Sequence, residues 1–141
     1  MNDCPLCQPS PTPPLWQDDH CRVILAQEPD YPGFCRVIWH AHQREMTDLS
    51  PVERGHLMAV VWGVEAAIRE TLQPDKVNLA SLGNQVPHLH WHVIPRYQED
   101  RHFPDAVWAA PQRIGQPRPV DMAALTAALI RHLGVGPPKL G

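Results

Sequence analysis

The residues best suited to chemistry lie in one stretch, His88-Leu89-His90-Trp91-His92-Val93-Ile94, in which three histidines alternate with apolar side chains. Successive side chains of a β-strand point to opposite faces, so this spacing predicts a strand with all three imidazoles on one face. The apolar residues between them then face a core. Pro87 and Pro95 are expected to open and close this strand, because proline cannot donate a hydrogen bond within a sheet.

Three imidazoles on one face permit three kinds of chemistry. Neutral imidazole is a nucleophile near pH 7, and a neighbouring imidazole can orient it or donate a proton. Alternating histidines also hold zinc or iron, and Glu99, Asp100 and His102 follow as further ligands, so a His-ligated metal oxygenase stays open. The third interpretation is purely structural, with each imidazole satisfied by hydrogen bonds.

A short polar turn, Gly83-Asn84-Gln85, precedes the histidines. Glycine lets the backbone approach a ligand closely, and the two side-chain amides can donate hydrogen bonds to phosphate oxygens. A turn of this composition next to an imidazole nucleophile favours chemistry at phosphorus. Arg96, just beyond the histidines, is either another phosphate partner or a surface arginine.

Four cysteines are present, and two of them form the pair Cys4-x-x-Cys7 in a proline-rich stretch. Such a pair indicates either a metal half-site or a redox motif. Redox pairs usually open a helix, which Pro5 and the prolines after it disfavour, and zinc would need two further ligands. Cys21 and Cys35 fall inside predicted strands and are expected to be buried, inert thiols.

Composition limits the class of protein. The chain has 141 residues, 43% of them hydrophobic, with a net charge of −3. A single globular domain is therefore expected, and the lack of a basic stripe argues against binding duplex nucleic acid. No apolar run approaches the ~20 residues of a membrane span, and the first residues do not resemble a secretory signal, so we expect a cytoplasmic protein with no membrane partner.

Hydrophobic periodicity and capping signals give the order of elements. Strands are predicted at 21–26, 34–39 and 77–82, followed by the histidine strand. One helix begins at Ser50-Pro51-Val52-Glu53 and ends at Gln73, and a second runs from Asp121 to Gly134. The order ββαββα predicts an antiparallel α+β fold. We expect one domain over 1–141, with a core at about 15–103, a cysteine loop at 1–14, and a Pro-rich segment plus helix at 104–141.

The histidine stretch matches the His-φ-His-φ-His-φ-φ signature of the histidine triad (HIT) superfamily, where φ is apolar. Pro32-Gly33, the strand at 35–38 and the helix entry at 48–50 resemble that family too, so the likeness spans residues 4 to about 103. The resemblance implies a five-stranded antiparallel sheet with two helices, and a homodimer. It also implies a nucleotide hydrolase or transferase that acts at the α-phosphate.

The resemblance assigns roles by position. His90 would be the nucleophile that forms a nucleotidyl-histidine intermediate. His92 would donate a hydrogen bond beside the phosphate and leaving group. His88 would orient the surroundings of the nucleophile or ligate a metal. Asn84 matches the amide that contacts phosphate. The stretch from Leu25 to Gln27 matches the nucleoside pocket, where Gln27 could reach the ribose hydroxyls.

Zinc-containing bacterial members of the family suggest a ligand set. Carried over, the set is Cys4, Cys7, His42 and His88, with His40 as a nearby competitor for the third position. Two thiolates and two imidazoles suit tetrahedral zinc, and four protein ligands leave no open position for water, so its role would be structural. Free cysteines and a loose tail remain the alternative.

One departure from the family leaves the substrate open. Many members carry a longer, glycine-rich loop before the triad, with a Ser or Thr that touches the phosphate. Only Gln85, Val86 and Pro87 separate Asn84 from His88 here. Both dinucleoside polyphosphates and nucleoside phosphoramidates therefore stay possible as substrates. A nucleotide-binding signalling module with little catalysis is the alternative function.

Overall fold

In the computed structural model, which describes residues 3–134, a five-stranded antiparallel sheet packs with two helices, so the predicted α+β class is confirmed. The sheet order is β1-β2-β3-β5-β4. The strands are β1 Trp16–Gln17, β2 Cys21–Leu25, β3 Cys35–Trp39, β4 Lys76–Ala80 and β5 His90–Arg96. The helices are α1 Pro51–Leu72 and α2 Met122–Leu133. Neither helix is long and apolar enough to cross a membrane.

Both helices begin and end where their capping residues predict. The Ser50 side chain accepts a hydrogen bond from the Glu53 backbone N–H, and the Glu53 side chain accepts one from the Ser50 N–H. These reciprocal bonds satisfy N–H groups that have no partner within the helix. At the start of α2 the Asp121 side chain accepts one hydrogen bond, from the Ala124 N–H, and Gly134 ends the helix.

One face of the sheet is apolar and packs against the helices, and the other carries polar residues. Alternate residues of β2, β3 and β5, including Val23, Val37 and Val93, are buried in one cluster with residues of α1 and α2. Leu57 and Val61 of α1 belong to this cluster, as do Leu125 and Leu129 of α2. Since side chains alternate across a strand, the opposite face presents Arg22, Arg36, His90 and His92. This face carries the polar residues of the site.

The histidine segment differs from its predicted form. β5 begins at His90, so His88 lies before the strand and the three imidazoles do not form a single row. Pro95 does not close the strand, because it pairs with Val77 of β4. The last pair between β3 and β5 is Cys35 with Val93, so at Pro95 the strand is paired with β4 alone. The connection from β4 to β5 spans 81–89 and is not a tight turn. The two-residue β1 was not predicted from periodicity, because it is too short to show any.

A buried carboxylate organises the chain after β5. Asp100 accepts hydrogen bonds from the Arg96 guanidinium and from the backbone N–H groups of Tyr97, His102 and Phe103. Burial alone would raise the pKa of Asp100, but these donors lower it to about 2. Arg96 is only 2% exposed, so it is neither a surface arginine nor available to a phosphate.

Candidate functional site

A cavity of about 400 Å³ opens beside β5. This volume lies within the usual range for small-molecule sites. Five of the predicted site residues line it together, namely Gly83, Asn84, Gln85, His90 and His92. Its other lining residues are Leu6, Arg36, Leu82, Val86 and Trp108. The structure therefore brings the polar turn and two of the three histidines into one pocket.

His90 is held in one tautomer by the backbone. Its Nδ1 lies 2.6 Å from the carbonyl oxygen of His88. A carbonyl oxygen only accepts hydrogen bonds, so Nδ1 must carry the proton. The neutral ring then keeps a free lone pair on Nε2. An imidazole oriented in this way, at the wall of a cavity, is suited to act as a nucleophile.

His92 is packed among aromatic rings beside His90. Its ring centroid lies 4.9 Å from that of His90, 5.6 Å from Phe34 and 5.1 Å from Trp108. Burial lowers the pKa of His92 to about 4, with smaller contributions from the charges of His90 and Arg36. His92 is therefore neutral near pH 7. Its buried Nδ1 has no hydrogen-bond partner among residues 3–134.

The polar turn forms part of the lining of the cavity. Gly83 adopts a left-handed backbone with φ of 74°, which an L side chain rarely tolerates and glycine does. Asn84 and Gln85 follow, both exposed, with amides that can donate hydrogen bonds to a ligand. The turn can thus supply neutral donors to phosphate oxygens.

Among the lining residues that were not predicted from the sequence, Arg36 and Trp108 are the charged and the aromatic one. Arg36 lies directly opposite His92 in the β3–β5 register, on the same face of the sheet. Arg36 alternates with buried Cys35 and Val37, which indicates that its side chain lies on the other face of β3. The register with β5 was needed to show that it lies opposite His92. Trp108 comes from the Pro-rich segment after Asp100, where no periodic pattern marks its position. Its side chain remains 51% exposed above the cavity.

The predicted zinc ligands are also brought together. Nδ1 of His88 lies 3.4 Å from Sγ of both Cys4 and Cys7, and Nδ1 of His42 lies 3.2 Å from Sγ of Cys7. All four ligand atoms fall within 4.8 Å of one another. Tetrahedral zinc with ordinary Zn–S and Zn–N bonds places adjacent ligand atoms roughly 3.5 Å apart. The donor set and its spacing therefore fit zinc.

His88 has the tautomer that a metal ligand requires. Its Nε2 lies 2.6 Å from the Trp39 carbonyl oxygen and must donate to it, so Nδ1 is left with a lone pair towards the thiols. His40 is not part of the cluster; its Nε2 contacts the Asp18 carbonyl oxygen at 3.0 Å. Of the two candidates, His42 is the one beside the cysteines.

His88 connects the cluster of cysteines to the cavity. The His88 ring faces the two cysteines, and its carbonyl oxygen accepts the hydrogen bond that fixes the tautomer of His90. Any group that holds His88 in place therefore also constrains the ring of His90.

Other predicted residues lie elsewhere. Leu25 ends β2, and Gln27 is exposed beyond it; neither lines the cavity, and their contact with a nucleoside stays a prediction. His102 contacts the Tyr31 hydroxyl at 2.6 Å, and Glu99 pairs with Arg118. Within the described residues, the possible metal clusters are the Cys4 set and Asp18 with Cys21 and His56. Neither cluster includes Glu99, Asp100 or His102, so these residues are not brought to the triad as the oxygenase interpretation requires.

The buried cysteines are as predicted. Cys21 and Cys35 have no exposed surface. Burial raises the pKa of both thiols, that of Cys35 to about 12, so neither forms a thiolate near neutral pH.

The fold and site together define a protein with a five-stranded antiparallel sheet and a histidine pair facing a polar turn. A third histidine lies beside two thiols. A family model described as the HIT domain matches residues 9–99, and the chain belongs to the HIT family.

Two curated proteins are similar in sequence. The chain is 28% identical over 144 residues to adenylylsulfatase HINT3 of Arabidopsis thaliana, an alignment that covers 94% of this chain and 71% of that protein. It is 29% identical over 87 residues to AP-4-A phosphorylase of Mycobacterium tuberculosis, covering 57% of this chain and 45% of that protein.

Solved structures share the fold. A histidine triad protein from Bradyrhizobium japonicum has a TM-score of 0.70 at 28% identity, covering 85% of this chain and 89% of that one. A Zn-bound histidine triad family protein from Mycobacterium smegmatis has a TM-score of 0.60 at 26% identity, covering 85% and 86%. The fold implied by the resemblance is thereby confirmed.

Proposed function

We propose that this protein hydrolyses or transfers nucleotides at the α-phosphate through a covalent nucleotidyl intermediate on His90. The hydrogen bond from His90 Nδ1 to the His88 carbonyl carries this proposal, because it leaves Nε2 free to attack. His92 and the amides of Asn84 and Gln85 line the same cavity and can contact the phosphate oxygens.

The reaction has two halves. Nε2 of His90 donates its lone pair to the α-phosphorus, and the bond to the leaving group breaks with its electron pair on that group. His92 supplies a hydrogen bond at the leaving group. Water then attacks the phosphorus, the P–N bond returns its electron pair to Nε2, and the water proton is released. The sum is one nucleoside monophosphate and one free leaving group for each water consumed.

The similar proteins support this class of substrate. An adenylylsulfatase and an AP-4-A phosphorylase are both named for reactions on adenylyl compounds. Family membership supports the same class. At 28% and 29% identity, these names support a nucleotidyl substrate in general and no one compound in particular.

We also propose a structural zinc ion held by Cys4, Cys7, His42 and His88. The short sulfur–nitrogen distances and the Zn-bound relative support it. When bound, the ion would cross-link the N-terminal loop to the segment before β5. Four protein ligands would leave no position for water, so His90 and His92 would do the chemistry.

The test of function is turnover by the wild type and the variants His90→Ala and His90→Gly. Adenylyl compounds with phosphate, sulfate or amine leaving groups are supplied, and release of adenosine monophosphate is measured. We expect turnover by the wild type and a loss of at least about 1,000-fold in both variants, since no other group forms the intermediate. Melting temperatures control for folding. Wild type that binds the compounds without turnover would instead indicate a nucleotide-binding module.

A further inference from the structure

Arg36 is a charged residue in the cavity that none of the proposed steps uses. It lies on β3, directly opposite His92, and lines the cavity. Its Nε atom is buried and has no hydrogen-bond partner within residues 3–134. Its guanidinium carbon lies 5.7 Å from the centroid of the Phe34 ring. A guanidinium of this kind has donors available for a ligand.

The charge of Arg36 is also not neutralised. In the part of the chain that the structure describes, no carboxylate lies within 4.0 Å of it to form an ion pair. Arg96, by comparison, is paired with Asp100. A partly buried cation without a counterion raises the free energy of the folded protein, so such a residue usually binds an anionic ligand.

Arg22 provides an internal comparison. It lies on the same face of the sheet, and its Nε also has no partner among the described residues. However, its guanidinium donates to the Leu6 carbonyl oxygen at 2.9 Å, which ties the N-terminal loop to β2. Arg22 therefore holds two segments together, whereas within residues 3–134 Arg36 makes no comparable hydrogen bond to the backbone.

The two histidines of the cavity have different neighbours on β3. The residue opposite nucleophilic His90 on β3 is the apolar Ile38, whereas the residue opposite His92 is Arg36. Directly opposite residues of antiparallel strands lie about 5 Å apart at Cβ. Arg36, the one arginine or lysine among the described residues that line the cavity, therefore lies at its His92 end, and the neutral amides of the polar turn line the same cavity.

We propose that Arg36 binds the leaving group and makes the site selective for nucleotidyl compounds whose leaving group is an oxyanion. Such compounds carry a phosphate or sulfate joined to the α-phosphorus through oxygen. This inference rests on the proposed function of the His90 site.

The chemistry of the leaving group explains the selectivity. When His90 attacks, the P–O bond breaks and its electron pair stays on the bridging oxygen, so negative charge grows on the departing phosphate or sulfate. Arg36 is placed to stabilise that charge, and the anion can depart without a proton. An amine leaving group acquires no negative charge to pair with Arg36 and needs a proton to depart. Arg36 would favour the first kind of substrate over the second.

The first test compares two substrates with one nucleoside, adenosine 5′-phosphosulfate and adenosine 5′-phosphoramidate. Arg36→Met removes the charge but keeps the apolar stem, Arg36→Lys keeps the charge, and exposed Arg69→Met on α1 is the charge-matched control. The ratio of kcat/KM for the sulfate to that for the amine should fall about 10- to 100-fold in Arg36→Met, as expected for loss of charged hydrogen bonds. Arg36→Lys should recover part of the ratio, and Arg69→Met should keep it.

An equal loss for both substrates, or no loss for either, would overturn the inference. The second test is independent of turnover and uses the His90→Ala background with calorimetry. There, adenosine 5′-phosphosulfate should bind about tenfold more weakly after Arg36→Met, and the phosphoramidate should bind with a smaller change. If wild type turns over neither of these two substrates, the binding result still decides the role of Arg36, independently of the proposed function.

Discussion

His90 and His92 have the same side chain two residues apart on one strand, and their surroundings give them different properties. A backbone carbonyl fixes the tautomer of His90. His92 lies among aromatic rings, and burial lowers its pKa to about 4. Periodicity could place both imidazoles on one face, but it could not reveal this difference, because the difference depends on the backbone conformation at His88 and on rings from other segments.

The pKa of His92 predicts a pH dependence of stability. His92 titrates near 4 when folded and near 6.5 when unfolded, so the unfolded chain takes up the proton first. The contribution of His92 to the free energy of unfolding is therefore present above pH 6.5, and roughly 3 kcal/mol of it is lost as the pH drops to 4. Guanidinium unfolding of wild type and His92→Asn at several pH values measures this. Parallel curves for the two proteins would contradict the assignment.

At the scale of elements, the loop between β4 and β5 was the least predictable part of the site. The sequence suggested a tight turn and a strand that contained all three histidines. His88 instead leaves the strand, because its ring faces Cys4 and Cys7 and its Nε2 donates to Trp39. The ligand set was available only through the family resemblance, since contacts between residues more than 80 positions apart leave no local pattern.

The cysteine loop gives a metal prediction. The double variant Cys4→Ser, Cys7→Ser should lose the approximately one zinc per chain that we expect in wild type purified without chelator, because two of four ligands are removed. It should also melt at a lower temperature. Elemental analysis measures the metal, and Cys35→Ala, whose thiol is buried away from the cluster, is the control that should retain it. Wild type without metal, or a double variant that keeps it, would refute the proposed site.

The Asp100 network positions the segment that carries Trp108. Asp100→Ala leaves the Arg96 guanidinium buried without its counterion, so we expect a loss of about 3–5 kcal/mol in the free energy of unfolding. Adding Arg96→Met should restore part of this loss, since it removes the unpaired charge. Chemical denaturation of both single variants and the double variant measures the coupling. Strictly additive losses would mean that the pair is not energetically linked.

At the scale of the whole molecule, four of the five strands and both helices could be predicted because each has a local signature, which the two-residue β1 lacks. Ser50 with Glu53 marks the start of α1, and Asp121 with Gly134 brackets α2. The cavity could be predicted only in part. Arg36 and Trp108 complete it from β3 and the Pro-rich segment, and only the folded chain shows that these lie beside His92.

The homodimer implied by the family resemblance stays a prediction. β4 is an edge strand of the sheet, and exposed edge strands offer unpaired backbone groups for association. Trp62 of α1 is 58% exposed as well. Light scattering coupled to gel filtration should give twice the mass of one chain. A single-chain mass at micromolar concentration would refute the dimer.

The central claim is that His90 carries the nucleotidyl group, and rapid-quench intact-mass spectrometry tests it most directly. Wild-type protein is mixed with excess adenylyl substrate and quenched within milliseconds, and its mass is compared with that of His90→Ala. A mass increase of one adenylyl group on wild type, mapped to His90 and absent from the variant, is the predicted result. No adduct during active turnover, or an adduct that persists in His90→Ala, would contradict the mechanism.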